Sequence, residues 1–331
     1  MTRSANHDSG RLRLGMIGAG WIARVHLDAL DRLGRTRLVA VASARAERAE
    51  ALAGPQGAAA YDDIERMLDE QRPDVVYVAV PPGDAITVLE PVVEHEIPFL
   101  AEKPLAATDP EGPARVADFV ARRGIVAAVG YHLRALDGLA DVRRALHGHP
   151  VQLVVARWLD ATPSAPWWRR VSSGGGQVVE QATHFYDLAR FLVGEATVVG
   201  AAATTAEPRP PGSDVVDATA AVLRFASGAV GSFANTRRLA SSTVEIELAG
   251  ADVLVTIRRS RAEPGGWAID IDDGGPVRTI PPGRDPYERQ AESFLDAVET
   301  HDPAGVLSSY ADALETDRLT RAVVAATGRT G

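Results

Sequence analysis

Apolar residues in the first part of the chain fall into short, near-continuous runs, with stretches of helical period between them. Leu12, Leu14 and Met16 alternate ahead of Gly18 and predict a buried strand; the apolar-periodic stretch through Leu30 predicts the helix after it. Arg37–Ser43 predicts a second strand and Ala44–Ala53 its helix. Tyr61–Gln71 predicts a short helix, Val75–Val80 a third strand and Asp84–Glu94 a helix. Pro98–Ala101 predicts a brief strand running into Glu102-Lys103-Pro104. Thr108-Asp109-Pro110-Glu111 has the residue types of a capping box and predicts a helix to Arg123, and Ile125–Gly130 predicts a further strand. Val/Ala/Ile-rich strands alternating with helices over short connections point to a parallel sheet covered on both faces. That is a doubly wound, Rossmann-type α/β domain.

From Val151 the pattern changes. Val151–Trp158 predicts a strand, followed by a Pro/Trp/Arg loop over Thr162–Arg170, the triplet Gly174-Gly175-Gly176 and a helix over Gln181–Val193. Strands are then expected at Val198–Thr204, Val216–Phe225, Ala229–Asn235, Thr243–Ala249, Val253–Ile257, Trp267–Ile271 and Val277–Ile280. Tyr287–Thr300 and Ala311–Ala326 predict closing helices. Consecutive strands without helices between them imply an α+β domain with an open, mainly antiparallel sheet, helices on one face and the other face free for a subunit partner.

A chain of 331 residues suits two domains, expected as a disordered polar tail at 1–11, a dinucleotide-binding domain at 12–131 and a substrate-binding and oligomerisation domain at 132–331. The net charge of −9 gives no basic footprint for nucleic acid. No apolar run approaches the roughly 18 residues of a membrane span. Without cysteine there is no disulfide and no thiolate metal site, which fits a cytoplasmic protein.

Gly18-Ala19-Gly20-Trp21-Ile22-Ala23 fits G-x-G-x-x-G/A between a strand and a helix. Gly18 permits the tight turn, Gly20 lets the backbone approach a pyrophosphate, and Ala23 lets helix and strand pack closely. The free N–H groups at the helix start, Trp21 and Ile22 among them, then face the phosphates. An acid roughly 20 residues further on would hold the ribose 2′-hydroxyl of NAD. This chain instead has Ser43-Ala44-Arg45, with Arg48 a turn later, a set suited to the 2′-phosphate of NADP. NADP is therefore expected ahead of NAD. The plainer account of Arg45 and Arg48 is a solvated helix face paired with Glu47 and Glu50.

Glu180, His184 and Asp187 are spaced to share one helical face. The plain reading is a satisfied helix, with Asp187 paired to Arg190 and His184 semi-buried. A metal site has no further His cluster or thiolate to complete it, so none is expected. Lys103 adds weight to a catalytic reading, because it follows an apolar strand at the carboxyl end of a parallel sheet, where such sheets bind ligands. Its plain alternative is a surface ion pair with Glu102.

Together these motifs resemble the glucose–fructose oxidoreductase / inositol dehydrogenase / rhizopine catabolism (Gfo/Idh/MocA) family from about residue 12 onward. The markers are G-M-I-G-A-G-W-I-A at 15–23, A-E-K-P-L at 101–105, G-Y-H-L-R at 130–134, and W-W-R-R followed by G-G-G-Q-V-V-E-Q-A-T-H-F-Y-D-L-A-R within 167–190. The resemblance implies that Lys103, Glu180 and His184 stand at the family's catalytic Lys, Asp and His positions. It implies that Trp168 and Arg169 reach over to the cofactor, which Val80, Pro81, Glu102 and Lys103 would also line, and that Ser43 and Arg48 have the spacing of NADP-preferring members. His132, Trp158 and Trp167, with Lys103, Glu180 and His184, would meet the substrate. The tryptophans offer apolar faces to a sugar ring, domain-interface packing being the alternative for Trp158. The family's activity would be hydride transfer between a nicotinamide and a hydroxyl or keto carbon of a sugar, cyclitol or sugar derivative. The uncovered sheet face, which would expose a large apolar patch on a monomer, predicts a homodimer or homotetramer. Two departures stand out: Glu180 replaces the usual Asp, and Pro81-Pro82-Gly83-Asp84 lacks the Asn and His common there. Two other readings stay open: a reductase of a diol or tetrapyrrole, and a non-catalytic dinucleotide sensor.

Overall fold

The computed structural model describes residues 10–207, 211–260, 263 and 266–328. The expected tail lies outside them except for Gly10 and Arg11. A six-stranded sheet in the order β3-β2-β1-β4-β5-β6 forms the first layer, and its strand pairs are all parallel. Its strands are β1 (Leu12–Ile17), β2 (Thr36–Ala42), β3 (Ala59–Tyr61), β4 (Val75–Val78), β5 (Phe99–Ala101) and β6 (Ala127–Val129). Between them run α1 (Trp21–Leu33), α2 (Ala46–Ala53), α3 (Ile64–Gln71), α4 (Ala85–Glu94) and α5 (Gly112–Arg123). Met16 sits between Val41 and Tyr77 in register, all three buried, as expected for strands covered on both faces. The strand order reverses between β1 and β4, so a crevice opens at their carboxyl ends.

Three local expectations are corrected. Tyr61 does not open a helix but ends β3, whose three residues are too few to show a period in the sequence. Residues 108–111 form no capping box. Asp109, not Thr108, accepts the Glu111 and Gly112 backbone N–H groups, and α5 starts at Gly112. A helix the sequence left unassigned, α6 (Leu139–Leu146), buries Leu139 and Val142.

The second sheet has eight strands in the order β14-β13-β12-β11-β7-β10-β9-β8 and is antiparallel except where β7 meets β10. They are β7 (Val151–Ala161), β8 (Ala196–Thr204), β9 (Ala218–Phe225), β10 (Val230–Thr236), β11 (Arg238–Gly250), β12 (Val253–Arg259), β13 (Trp267–Asp272) and β14 (Arg278–Ile280). A short helix α7 (Val171–Gly174), a π-helical turn over Val178–Ala182 and α8 (Thr183–Val193) intervene after β7. One sheet face, with Val154, Leu223, Phe233 and Ile246, packs on Phe185 and Leu188 of α8. Along the opposite face Leu254, Ala249, Leu153 and Val230 fall in one cross-strand row. Leu153 is 42% exposed.

The closing helices tie the halves together. Helix α9 (Pro286–Thr300) packs Ala291, Phe294 and Leu295 against Leu27, Leu30 and Tyr77 of the parallel-sheet layer. Helix α10 (Tyr310–Ala326) buries Tyr310 and Ala313 in that half and Leu319 and Val323 under the antiparallel sheet. Among the described residues no helix is long and apolar enough to cross a membrane.

Candidate active site

Where β1 ends, Gly18 has φ +105°, and a Cβ there would lie 2.2 Å from the Ala79 carbonyl oxygen, so only glycine fits. Nothing lies within 4 Å of a Cβ built on Gly20, which leaves the backbone open to close approach. Gly20 is the N-cap of α1, and no side chain caps the first N–H groups of that helix. The turn therefore presents bare donors at a positive dipole end, as a pyrophosphate requires. Trp21, 74% exposed, stands beside it.

A cleft of about 1660 Å³ runs from this turn to the antiparallel sheet. Ser43, Arg45 and Arg48 line one end, and Asp62 joins them from the loop after β3. The Arg45 N–H donates to the Ser43 hydroxyl at 3.4 Å. Both guanidiniums are exposed, and neither has an ion-pair partner among the described residues, so the expected alternative of pairing with Glu47 and Glu50 does not form. Val80 and Pro81 line the next stretch. There the Gly83 N–H donates to the Ser173 carbonyl at 2.9 Å, and a Cβ on Gly83 would meet the Ser172–Ser173 backbone at 3.0 Å. The loop lacking the expected Asn and His is thus stitched directly to α7.

At the end of β5 the structure corrects the plain reading of Lys103. Glu102 pairs with buried His26 at 2.8 Å. Burial pushes the Glu102 carboxyl up, but the His26 hydrogen bond and the charge of Lys103 outweigh it and hold it below its usual value. Lys103 turns instead to Glu180, donating from Nζ to Oε1 at 2.8 Å and to the backbone carbonyl at 2.7 Å. Glu180 lies in the π-helical turn, a distortion frequent at functional sites. Its carboxyl is shifted up, because burial outweighs the Lys103 charge.

His184, 4% exposed, follows on α8, and its Nδ1 is enclosed without a hydrogen-bond partner among the described residues. Trp158 stacks on it with centroids 5.8 Å apart, and His132 meets it edge-on at 4.5 Å. His132 in turn stacks on Tyr287 at 4.6 Å. Burial, together with the charges of Lys103 and Arg259, drives the His184 pKa well below the usual histidine value. Burial also pushes His132 down to about 4, against the pull of Glu102. Both rings are therefore neutral at physiological pH.

Asp187 does not join the cleft. It is fully buried and takes two hydrogen bonds from Arg134, at 2.6 and 2.7 Å, rather than pairing with Arg190. Arg190 binds Glu195 and Asp312. Trp158, Trp167 and Trp168 line the cleft, but Arg169 is not among its lining residues, and its buried Nε has no hydrogen-bond partner. Sequence reasoning missed Arg259, Trp267 and Tyr287. The first two end or begin strands at facing register positions, and Tyr287 follows the Asp285 N-cap of α9. Among the described residues no cluster of His, Cys, Asp and Glu is placed to hold a metal ion.

The sequence matches a family described as "Oxidoreductase family, NAD-binding Rossmann fold" over residues 12–131 and the GFO/IDH/MocA C-terminal domain over residues 147–255. The chain belongs to the GFO/IDH/MocA oxidoreductases. Inositol 2-dehydrogenase of Rhizobium meliloti (strain 1021) is 29% identical over 302 residues, 87% of this chain and 89% of that protein. A levoglucosan dehydrogenase solved with NADH shares the fold, with a TM-score of 0.84 at 22% identity over 96% of this chain and 97% of that one. So does a 3-ketoreductase from Actinomadura kijaniata solved with NADP and TDP-benzene, with a TM-score of 0.82 at 21% identity over 96% of this chain and 98% of that one. In a chain of this family, the open glycine turn and the uncapped α1 start mark the NAD-binding element.

Proposed function

We propose that this oxidoreductase acts on a CH–OH group of a sugar or cyclitol, with Lys103, Glu180 and His184 as its catalytic residues and NADP(H) preferred over NAD(H). The carrying observation is the meeting of Lys103, from the parallel sheet, with Glu180 and His184, from the antiparallel half, in one cleft. When bound, the nicotinamide supplies hydride acceptance or donation. The pyrophosphate would lie on Gly18, Gly20, Trp21 and Ile22, and Val80, Pro81 and Trp168 would line the path toward the substrate.

His184 takes the hydroxyl proton during oxidation and returns it during reduction. Its depressed pKa keeps the imidazole neutral at pH 7, with a lone pair to take the proton, but makes it a weaker base than a free imidazole. The reaction therefore needs the charge stabilisation that Lys103 gives to the reacting oxygen. The proton passes through Nε2, because Nδ1 is enclosed. Lys103 has three N–H donors, and two are committed to Glu180. The third is left for the reacting oxygen, whose developing negative charge an ammonium stabilises strongly where the lysine side chain is only 12% exposed. Glu180, longer than the family's usual Asp, aims that ammonium. His132, Trp158 and Trp167 complete the substrate wall.

The NADP preference rests on Ser43 and on the exposed, unpaired Arg45 and Arg48. A nucleotide-binding domain at 12–131 and a substrate domain at 132–331 is the division that the separate sheets support, with α9 of the second segment packed on the first sheet's layer. The apolar row of Leu254, Ala249, Leu153 and Val230 supports a homodimer or homotetramer joined through the open sheet face. Light scattering should give a multiple of 35.0 kDa, and a monodisperse mass at that value would contradict it. The acidic, cysteine-free composition supports a cytoplasmic enzyme without nucleic-acid or membrane partners. A panel of sugars, cyclitols and nucleotide-sugars, assayed with NADP and NAD by absorbance of the reduced cofactor, tests the function. Turnover of a polyol, faster with NADP, is expected. No reaction across the panel despite tight cofactor binding would overturn the catalytic reading.

A further inference from the structure

Four adjacent strands, β7, β11, β12 and β13, bring Trp158, Asp160, Ser242, Arg259 and Trp267 together. The Arg259 guanidinium lies 5.2 Å from the centroid of the Trp158 ring and 5.9 Å from that of Trp267. Nη1 donates to Asp160 Oδ2 and to Ser242 Oγ, both at 2.9 Å. Nε and Nη2 make no hydrogen bond among the described residues, although Arg259 lines the cleft. Those two groups lie along one edge of the planar fork and donate in parallel. Trp158 is also the ring stacked on His184, so the fork stands one aromatic ring from the proposed base.

A parallel donor pair suits either a carboxylate or two neighbouring oxygens of a neutral polyol. The charge balance separates the two. Asp160 already neutralises Arg259, and Asp160 is itself held by the Ala161 N–H at 2.9 Å, so it is fixed in place. An anionic substrate would bring a second negative charge beside that carboxylate. A polyol brings oxygens that accept from the fork and no net charge, and the two tryptophan faces suit the C–H face of its ring. We infer that the free edge of Arg259 anchors two adjacent hydroxyls of an uncharged polyol, away from the reacting carbon, and that Asp160 selects against acidic sugars. This inference rests on the polyol dehydrogenase reading and narrows its substrate class.

The test is tryptophan fluorescence of the NADPH-loaded protein titrated with myo-inositol, D-glucose, methyl α-D-glucoside, their monodeoxy analogues and D-glucuronate. At least one neutral polyol should bind, and D-glucuronate should bind more weakly than D-glucose. Arg259→Lys keeps the charge over the rings but loses the fork, and should weaken that polyol about tenfold while erasing the penalty of one monodeoxy analogue. Asp160→Asn should improve D-glucuronate relative to D-glucose by about tenfold. NADPH affinity serves as the folding control for both variants. Unchanged polyol affinity in Arg259→Lys, tighter binding of D-glucuronate by the unmodified protein, or no binding by any neutral polyol would overturn the inference. Arg259-dependent binding without turnover would leave it standing and count against the catalytic reading alone.

Discussion

His184 and Asp187 lie on the same helix, less than one turn apart, and are both buried, yet their surroundings are opposite. Each oxygen of Asp187 is engaged, by Arg134 and by Thr316. His184 has an enclosed nitrogen with no partner, a stacked tryptophan and a place on the cleft wall. Burying a polar group without a hydrogen bond costs free energy, and His184 bears that cost on the cleft wall. The hydroxyls of Tyr77, Tyr186 and Tyr310, equally unpartnered among the described residues, do not line the cleft, so it is the two features together that point to work done on a ligand. A saturated group at the same depth points to the fold. Titratable residues that look alike in the sequence are thus separated by how completely the protein satisfies them.

The sharpest way to break this comparison is to remove each residue and measure stability by urea unfolding. Asp187→Ala leaves Arg134 buried without its main partner and should cost about 3–5 kcal/mol. His184→Phe keeps a ring packed against Trp158 and His132, has no hydrogen bond to lose, and should cost far less. Equal losses would show that satisfaction does not distinguish the two. The next effect concerns exposed groups left open: Arg48→Ala should weaken NADPH by about 1–3 kcal/mol and leave NADH unchanged. Equal losses for both cofactors, by fluorescence titration, would remove the 2′-phosphate assignment.

The smallest effect concerns His132, whose folded pKa of about 4 lies below the unfolded value near 6.5. The unfolded chain therefore binds the proton first. This contribution to stability is complete above pH 6.5 and is lost as pH falls toward 4. His132→Gln should flatten the decline between pH 7 and 5 by about 1–2 kcal/mol. An unchanged slope would place the acid sensitivity elsewhere.

Local pattern made the nucleotide half legible. Buried parallel strands are near-continuous apolar runs, and the glycine turn has steric requirements that only certain residues meet, as Gly18 shows. The strands of the second sheet were legible from alternation, but their order was not, because β7 sits between β11 and β10 by long-range pairing. Lys103 and His184 could be picked out by position and spacing. Their partners could not: Glu180 over Glu102 for the lysine, and Arg134 over Arg190 for Asp187, are choices made 53 to 77 residues away. Arg259, Trp267 and Tyr287 escaped notice for the same reason, since single residues at strand or helix ends become a wall only after the sheet closes.

The central claim, that Lys103 and His184 act on one reacting oxygen, is tested most directly by Lys103→Ala, His184→Ala and the double variant. Steady-state turnover on a reacting polyol would be measured beside NADPH affinity. Each single change should lower turnover by about 10²–10⁴, the double variant should lose much less than the product of the two, and NADPH affinity should stay at the unmodified value. Turnover at the unmodified rate in both single variants would contradict the claim and make the pair structural.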